Sequence, residues 1–179
     1  MVVAVLAPPG AARAEVPARS LAPLVRVAAE RLALADRVAA AKWGTGRPIE
    51  DAARERELLA DVARRSGEMG IDPGRSVAVF RDQIEAAKLV ERGLFLRWQA
   101  RPGRAPAERP DLEGEVRPAL DRVTGELLAE LKATRGVRAD PFCGLRLAGA
   151  VRQAEHERRL DGLHLAGLGR AVPSVCEDA

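Results

Sequence analysis

The chain has 179 residues, near the size of one domain and enough to bury a sizeable core. Its 29 basic and 26 acidic residues leave a net charge of +3 and are interspersed, and only 3% of residues are aromatic, with no Tyr. A nucleic-acid surface needs clustered cations and stacking aromatics, so nucleic acid is not an expected partner.

Ala, Leu, Arg and Glu dominate, and no stretch alternates with period two, so helices around an aliphatic core are expected throughout. Residues 1–14 hold an apolar run from Val2 to Ala7, a Pro8-Pro9-Gly10 break and the small-x-small triplet Ala12-Arg13-Ala14. That is the pattern of a signal peptide. With no basic stretch before the run, a longer signal beginning upstream and a plain tail stay open as alternatives. Residues 15–179 are then expected to form one helical domain. Later segments fall short of the ~18 apolar residues of a membrane span, so no membrane partner is expected.

Ser20, an N-cap type residue, opens a first helix that runs to about Trp43 with Leu24, Ala28, Leu32, Ala35 and Val38 on its apolar face. After Gly44 to Arg47, Pro48 suits the first turn of a second helix, and Glu50 and Asp51 complement its dipole. This helix carries Ala52, Leu58, Leu59 and Val62 and frays near Gly67 to Gly70. Asp72 and Pro73 open the clearest helix, with Ile71 placed as a hydrophobic staple and a stripe of Val77, Phe80, Ile84, Ala87, Glu91, Leu94 or Phe95, and Trp98. Residues Arg101 to Pro110 hold three prolines and read as a loop.

A fourth helix from Asp111 carries Val116, Leu120, Val123, Leu127 and Leu131, with Pro118 in its first turn or kinking it, and ends near Gly136. Asp140 and Pro141 open a last helix through Leu145, Ala148 and Val151 to Leu160, Leu163 and Leu168, interrupted near Gly162 or Gly167. The expectation is an all-α bundle of five to six helices, with Trp43, Phe80, Phe95, Trp98 and Phe142 at core-type positions. Cys143 and Cys176, 33 positions apart, are either a disulfide, which an even count in an exported chain favours, or two unrelated small core residues.

The chemistry lies in polar residues on apolar faces. Arg31 and Lys42 are eleven positions apart, which leaves them about 20° apart around a helix and about 16 Å apart along it, with Ala35 and Val38 between them. Two long side chains at that spacing either converge on a small dianion or snorkel past the core edge into water. Arg54 precedes Leu58 and Val62 at i+4 and i+8 and adds a third cation. Glu91 stands on the apolar stripe of the clearest helix, where it must pair with a cation or hold its proton. His156 and His164 have no metal-type companions and read as surface or core-edge residues, and neither a metal nor a cofactor is expected.

Four stretches, Ala29 to Leu32, Val38 to Trp43, Pro48 to Glu55 and Val79 to Glu91, resemble the helical chorismate mutases, and most closely their exported subclass. The resemblance covers about Ser20 to Arg101, and the separation of Cys143 and Cys176 is similar to that of the subclass's disulfide. It implies a type II-like bundle, in the periplasm or secreted, that rearranges chorismate to prephenate without a cofactor; a homodimer is left open. It further implies that Arg31 and Arg54 bind substrate carboxylates and that Lys42 and a protonated Glu91 donate to the ether oxygen. Asp51 and Glu55 would lie near the substrate hydroxyl. Two departures stand out: Ala87 replaces a small polar residue, and Glu126 stands where the family has a further Arg, leaving Arg122 as its candidate substitute. An isochorismate pyruvate lyase on the same scaffold, or a non-catalytic helical binding or signalling protein, are the alternatives.

Overall fold

The computed structural model describes residues 20–176, so the signal-like residues 1–14 lie outside the described residues. It is an all-α bundle with seven α-helices among the described residues. Helix α1 (Ala22–Lys42) has Pro23 in its first turn, and the Ser20 hydroxyl accepts from the Ala22 N–H at 3.1 Å. Helix α2 (Ala52–Glu68) starts later than Pro48. Asp51 is the stronger start signal because its carboxylate accepts from the Arg54 N–H, and Pro48 stays in the preceding loop. Helix α3 (Pro73–Ala100) is capped by Asp72 through the Arg75 N–H, with Ile71 buried beside it.

Asp111 then opens a π-turn (Leu112–Val116) that runs into α4 (Arg117–Ala133), with Pro118 in the first turn of α4. A short α5 (Arg135–Arg138) precedes α6 (Cys143–Arg158) and α7 (Gly162–Ala171), and a 3-10 turn (Pro173–Val175) follows. The break in the expected last helix falls at Arg159, whose φ of 50° turns the chain before Asp161 caps α7. That break and α5 account for the larger number of helices.

The long helices α1 and α3 pack against each other at the centre, with α2 and α4 on one flank and α6 and α7 closing the bundle. The core is aliphatic around Phe80, and Trp43, Phe95 and Trp98 form an edge-on cluster with centroids 5.0 and 5.4 Å apart about Trp43. Helix α6 corrects two expectations. Phe142 and Leu145 are 66% and 75% exposed, and the buried face runs Cys143, Ala150 and Ala154 with Leu147 half-buried. The bond from Cys143 to Cys176 turns that face inward. Gly167 does not interrupt α7. A Cβ there would lie 2.8 Å from Val90 Cγ2, and one at Gly93 would lie 2.5 Å from Leu163 Cδ1, so the two glycines let α7 seat directly on α3.

The C-terminal segment is fastened to α3. Arg170 and the Ser174 N–H both donate to Asp82 at 2.8 Å, and the buried Gln83 amide donates to the Ala171 carbonyl at 2.8 Å. The Cys143–Cys176 disulfide, present as one of the two alternatives expected, closes the loop containing α6 and α7. By chain entropy a loop of 33 positions contributes about 3–4 kcal/mol. Reduction is therefore expected to lower Tm by roughly 6–16 °C, a shift reproduced by the Cys143→Ala/Cys176→Ala double variant under oxidising conditions. A Tm indifferent to reductant would remove the disulfide from the stability of the bundle.

His164 fastens α7 to α1. Its Nε2 lies 2.9 Å from Asp36 and its Nδ1 2.7 Å from Asp161, and only the imidazolium can donate to both. The Asp36 hydrogen bond chiefly, with Asp161 adding and burial opposing, raises its pKa from 6.5 to about 9. A folded pKa above the unfolded one means that this stabilisation is complete below about pH 6.5 and is lost as pH rises through about 9. Because both carboxylates are half-exposed, the pair of contacts is expected to be worth about 1 kcal/mol. His164→Ala should thus lower Tm by roughly 2–4 °C at pH 6 and by little at pH 10, read from melts across that range. An equal loss at both pH values would assign the effect to packing.

Candidate active site

A cavity of about 140 Å³ opens between α1, α2, α3 and α4. From α1 it takes Arg31, Ala35, Val38 and Lys42, a 4-3-4 spacing that places all four on one helix face. From α3 it takes Ile84, Ala87, Lys88 and Glu91 by the same periodicity. Helix α2 presents Arg54, Glu55 and Leu58, with its cap Asp51 and the preceding Ile49 at the edge, and α4 presents Leu120, Asp121 and Thr124.

Arg31 is the anomaly in this wall. It is 5% exposed, its guanidinium stands 5.7 Å from the centre of the Phe80 ring, and its Nε has no hydrogen-bond partner among the described residues. Burial, partly offset by the field of Asp121, lowers its pKa to about 10, so it remains a cation at neutral pH. The other cations of the cavity have carboxylate partners. Lys42 Nζ donates to Glu91 Oε2 and to the Ile49 carbonyl, both at 3.0 Å. Lys88 contacts Glu55 at 3.2 Å and Glu85 at 2.6 Å, and Arg54 lies 3.4 Å from Glu57 and 3.6 Å from Asp121.

Glu91 is buried, and desolvation raises its pKa against the opposing pull of Lys42. Both alternatives for this residue therefore operate together: it pairs with a cation and it is easier to protonate than an ordinary Glu. Burial disfavours the Lys88 ammonium, yet its hydrogen bonds to Glu85 and Glu55 outweigh that and raise its pKa. Among the described residues no group of His, Cys, Asp and Glu is placed to hold a metal ion.

The structure brings together Arg31, Lys42, Asp51, Arg54, Glu55, Ala87 and Glu91. Asp51 serves at the same time as the α2 cap. Arg122 is not brought into this group. It stands outside the lining and donates to Glu126 at 2.6 Å and to Glu30 at 2.8 Å. Two residues along a helix is about 200° of rotation, so with Leu120 and Thr124 facing the cavity, Arg122 faces away from it. Lys88, Asp121 and Thr124 were not singled out in the sequence, although Thr124 falls on the stripe Leu120, Thr124, Leu127, Leu131 that would have marked it.

The profile of the family described as chorismate mutase type II matches residues 22–92, a span that contains Arg31, Lys42, Arg54 and Glu91. The secreted chorismate mutase of Mycobacterium tuberculosis (strain ATCC 25618 / H37Rv) is 38% identical over 157 residues, which are 88% of this chain and 78% of that protein. The chain belongs to the type II chorismate mutase family. The secreted chorismate mutase of Mycolicibacterium smegmatis (strain ATCC 700084 / mc(2)155) is 36% identical over 89% of this chain and 87% of its own length. Crystal structures of chorismate mutases from Burkholderia phymatum and Burkholderia thailandensis superpose with TM-scores of 0.84 and 0.83 at 38% and 39% identity. They cover 88% and 87% of this chain and 96% and 98% of their own. The chorismate mutase profile ends at Arg92, so the α4 wall of the cavity lies beyond it.

A desolvated cation without a hydrogen-bonded carboxylate is a net cost to folding, and apolar replacements of buried ionic groups are often neutral or stabilising by about 1–4 kcal/mol. Arg31→Met keeps the length and removes the charge. It is expected to raise Tm by a few degrees, checked by thermal melts at neutral pH. A lowered Tm would show the guanidinium to be a structural anchor.

Proposed function

We propose that the cavity converts chorismate to prephenate by holding the substrate in its reactive conformer and stabilising the charge that develops on the breaking ether oxygen. The observation that carries this reading is the buried guanidinium of Arg31 facing the same cavity as the Lys42–Glu91 pair. Arg31 supplies a positive charge not hydrogen-bonded to any carboxylate among the described residues, suited to a substrate carboxylate. Arg54, at the more exposed edge, takes the second carboxylate in place of Glu57 and Asp121.

Within the substrate one C–O bond breaks as one C–C bond forms, and no group leaves and no proton is exchanged. Lys42 donates to the ether oxygen, and Glu91 joins it as an O–H donor when it carries its proton. Asp51 and Glu55 lie near the substrate hydroxyl, where an acceptor is useful. Ala87 offers no hydrogen bond at its place in the wall. The residues named here act by position and charge, and no cofactor is required of them. Residues 1–14, the disulfide and the relatives named as secreted together support export of the chain, to the periplasm or the medium.

Prephenate formation from chorismate by the purified, oxidised chain tests the reading. Pyruvate released from isochorismate would favour a lyase, and inertness toward both would favour a binding protein. The Glu91 role has its own signature. Only the protonated acid donates, so kcat/KM is expected to fall as pH rises through the raised pKa of Glu91. Glu91→Gln, a donor at every pH, should flatten that limb and match or exceed the wild type at alkaline pH. A variant profile superimposable on that of the wild type would take Glu91 out of the mechanism.

A further inference from the structure

Helix α4 contributes to the cavity a side chain that none of the roles above uses. Thr124 is 1% exposed, lines the cavity, and its Oγ1 has no hydrogen-bond partner among the described residues. Hydroxyls elsewhere in these helices bond back one turn: Thr134 Oγ1 donates to the Glu130 carbonyl at 2.6 Å, and Ser76 Oγ to the Asp72 carbonyl at 2.9 Å. Thr124 does not make the equivalent bond to Leu120. A buried hydroxyl without a partner is unfavourable, and native structures retain few of them. Ser66 Oγ is another, but it lies away from the cavity. Arg31 and Thr124 thus both line one cavity, and each carries a buried polar atom without a hydrogen-bond partner among the described residues, on helices that pack against each other.

The same turn of α4 presents Asp121, whose carboxylate repels a bound anion, so the donor offered from this wall is the neutral hydroxyl. We propose that the Thr124 hydroxyl donates a hydrogen bond to the substrate carboxylate held by Arg31, which makes Thr124 a substrate-binding residue and α4 the fourth binding wall of the site. This rests on the chorismate reading above. The contact exists in the ground state and the transition state alike, so its loss acts on KM rather than on kcat.

The test is steady-state kinetics of chorismate loss together with thermal melts for wild type, Thr124→Val, Thr124→Ser and Thr124→Ala. Thr124→Val is expected to raise KM by about tenfold with kcat within about twofold of wild type, the usual scale for one hydrogen bond to a charged group. Its Tm should be unchanged or higher, because the unsatisfied hydroxyl is gone. Thr124→Ser should keep the wild-type KM, while Thr124→Ala, with the same packing loss, should share the raised KM. The Ser and Ala variants decide the matter if the Val variant fails to fold. A wild-type KM in Thr124→Val, or equal KM values in the Ser and Ala variants, overturns the inference. A wild type that leaves chorismate untouched overturns the chorismate reading as well, whereas an active wild type with an insensitive Thr124 overturns this inference alone.

Discussion

An arginine side chain sunk into an aliphatic bundle, with no carboxylate of the described residues in hydrogen-bond reach, is the constraint around which the rest of this structure is arranged. Bulk water is the usual partner for such a charge, and the helices around Arg31 leave it only 5% exposed. The bundle must therefore draw its stability from elsewhere. It does so through long helices with continuous apolar stripes, an aromatic cluster at one end, glycines that let α7 approach α3 closely, and a covalent tie at the C-terminus. Stability drawn from those distant features leaves the cavity free to hold a charge that folding alone would not favour.

The remaining charges of the cavity are held differently. Lys42, Lys88 and Arg54 each contact a carboxylate, so each long side chain is aimed before any ligand arrives. Lys42 and Glu91 come from the two central helices, and the hydrogen bond between them spans the seam of the bundle. Rigid helices placing charged groups at 3–4 residue intervals fix their relative positions more firmly than loops would. A site of this kind binds and polarises without any covalent step.

Much of this was legible in the sequence because a helical period converts residue number into direction. Arg31 with Lys42, Arg54 with Leu58 and Glu91 within the α3 stripe could all be placed on inward faces from spacing alone, and the cavity contains each of them. The errors arose where period and residue size disagreed. On α6 the larger Leu145 drew the predicted face outward, whereas the disulfide and two alanines set the true one. Gly167 reads as a helix breaker when only propensity is considered, but here the missing side chain makes room for Val90. The chemistry of Arg122 suits a substrate anion, but its direction on α4 places it outside the cavity lining. Thr124 is not marked by the sequence, because an uncharged residue on an apolar stripe carries no signal of its own and its unmet hydrogen bond emerges only once neighbouring helices are in place.

The fastening of the C-terminal segment to α3 has a mechanical meaning. Apolar helices meeting through ridges and grooves tolerate sliding, because one turn of displacement brings similar surfaces back into contact. Directional bonds from Asp82 and Gln83 to Arg170, Ala171 and Ser174 admit a single register. Those anchors lie eight and nine residues before Glu91 on the same rigid rod, so they act as an axial stop. The height of Glu91 opposite Lys42 is thereby set from the far end of the chain.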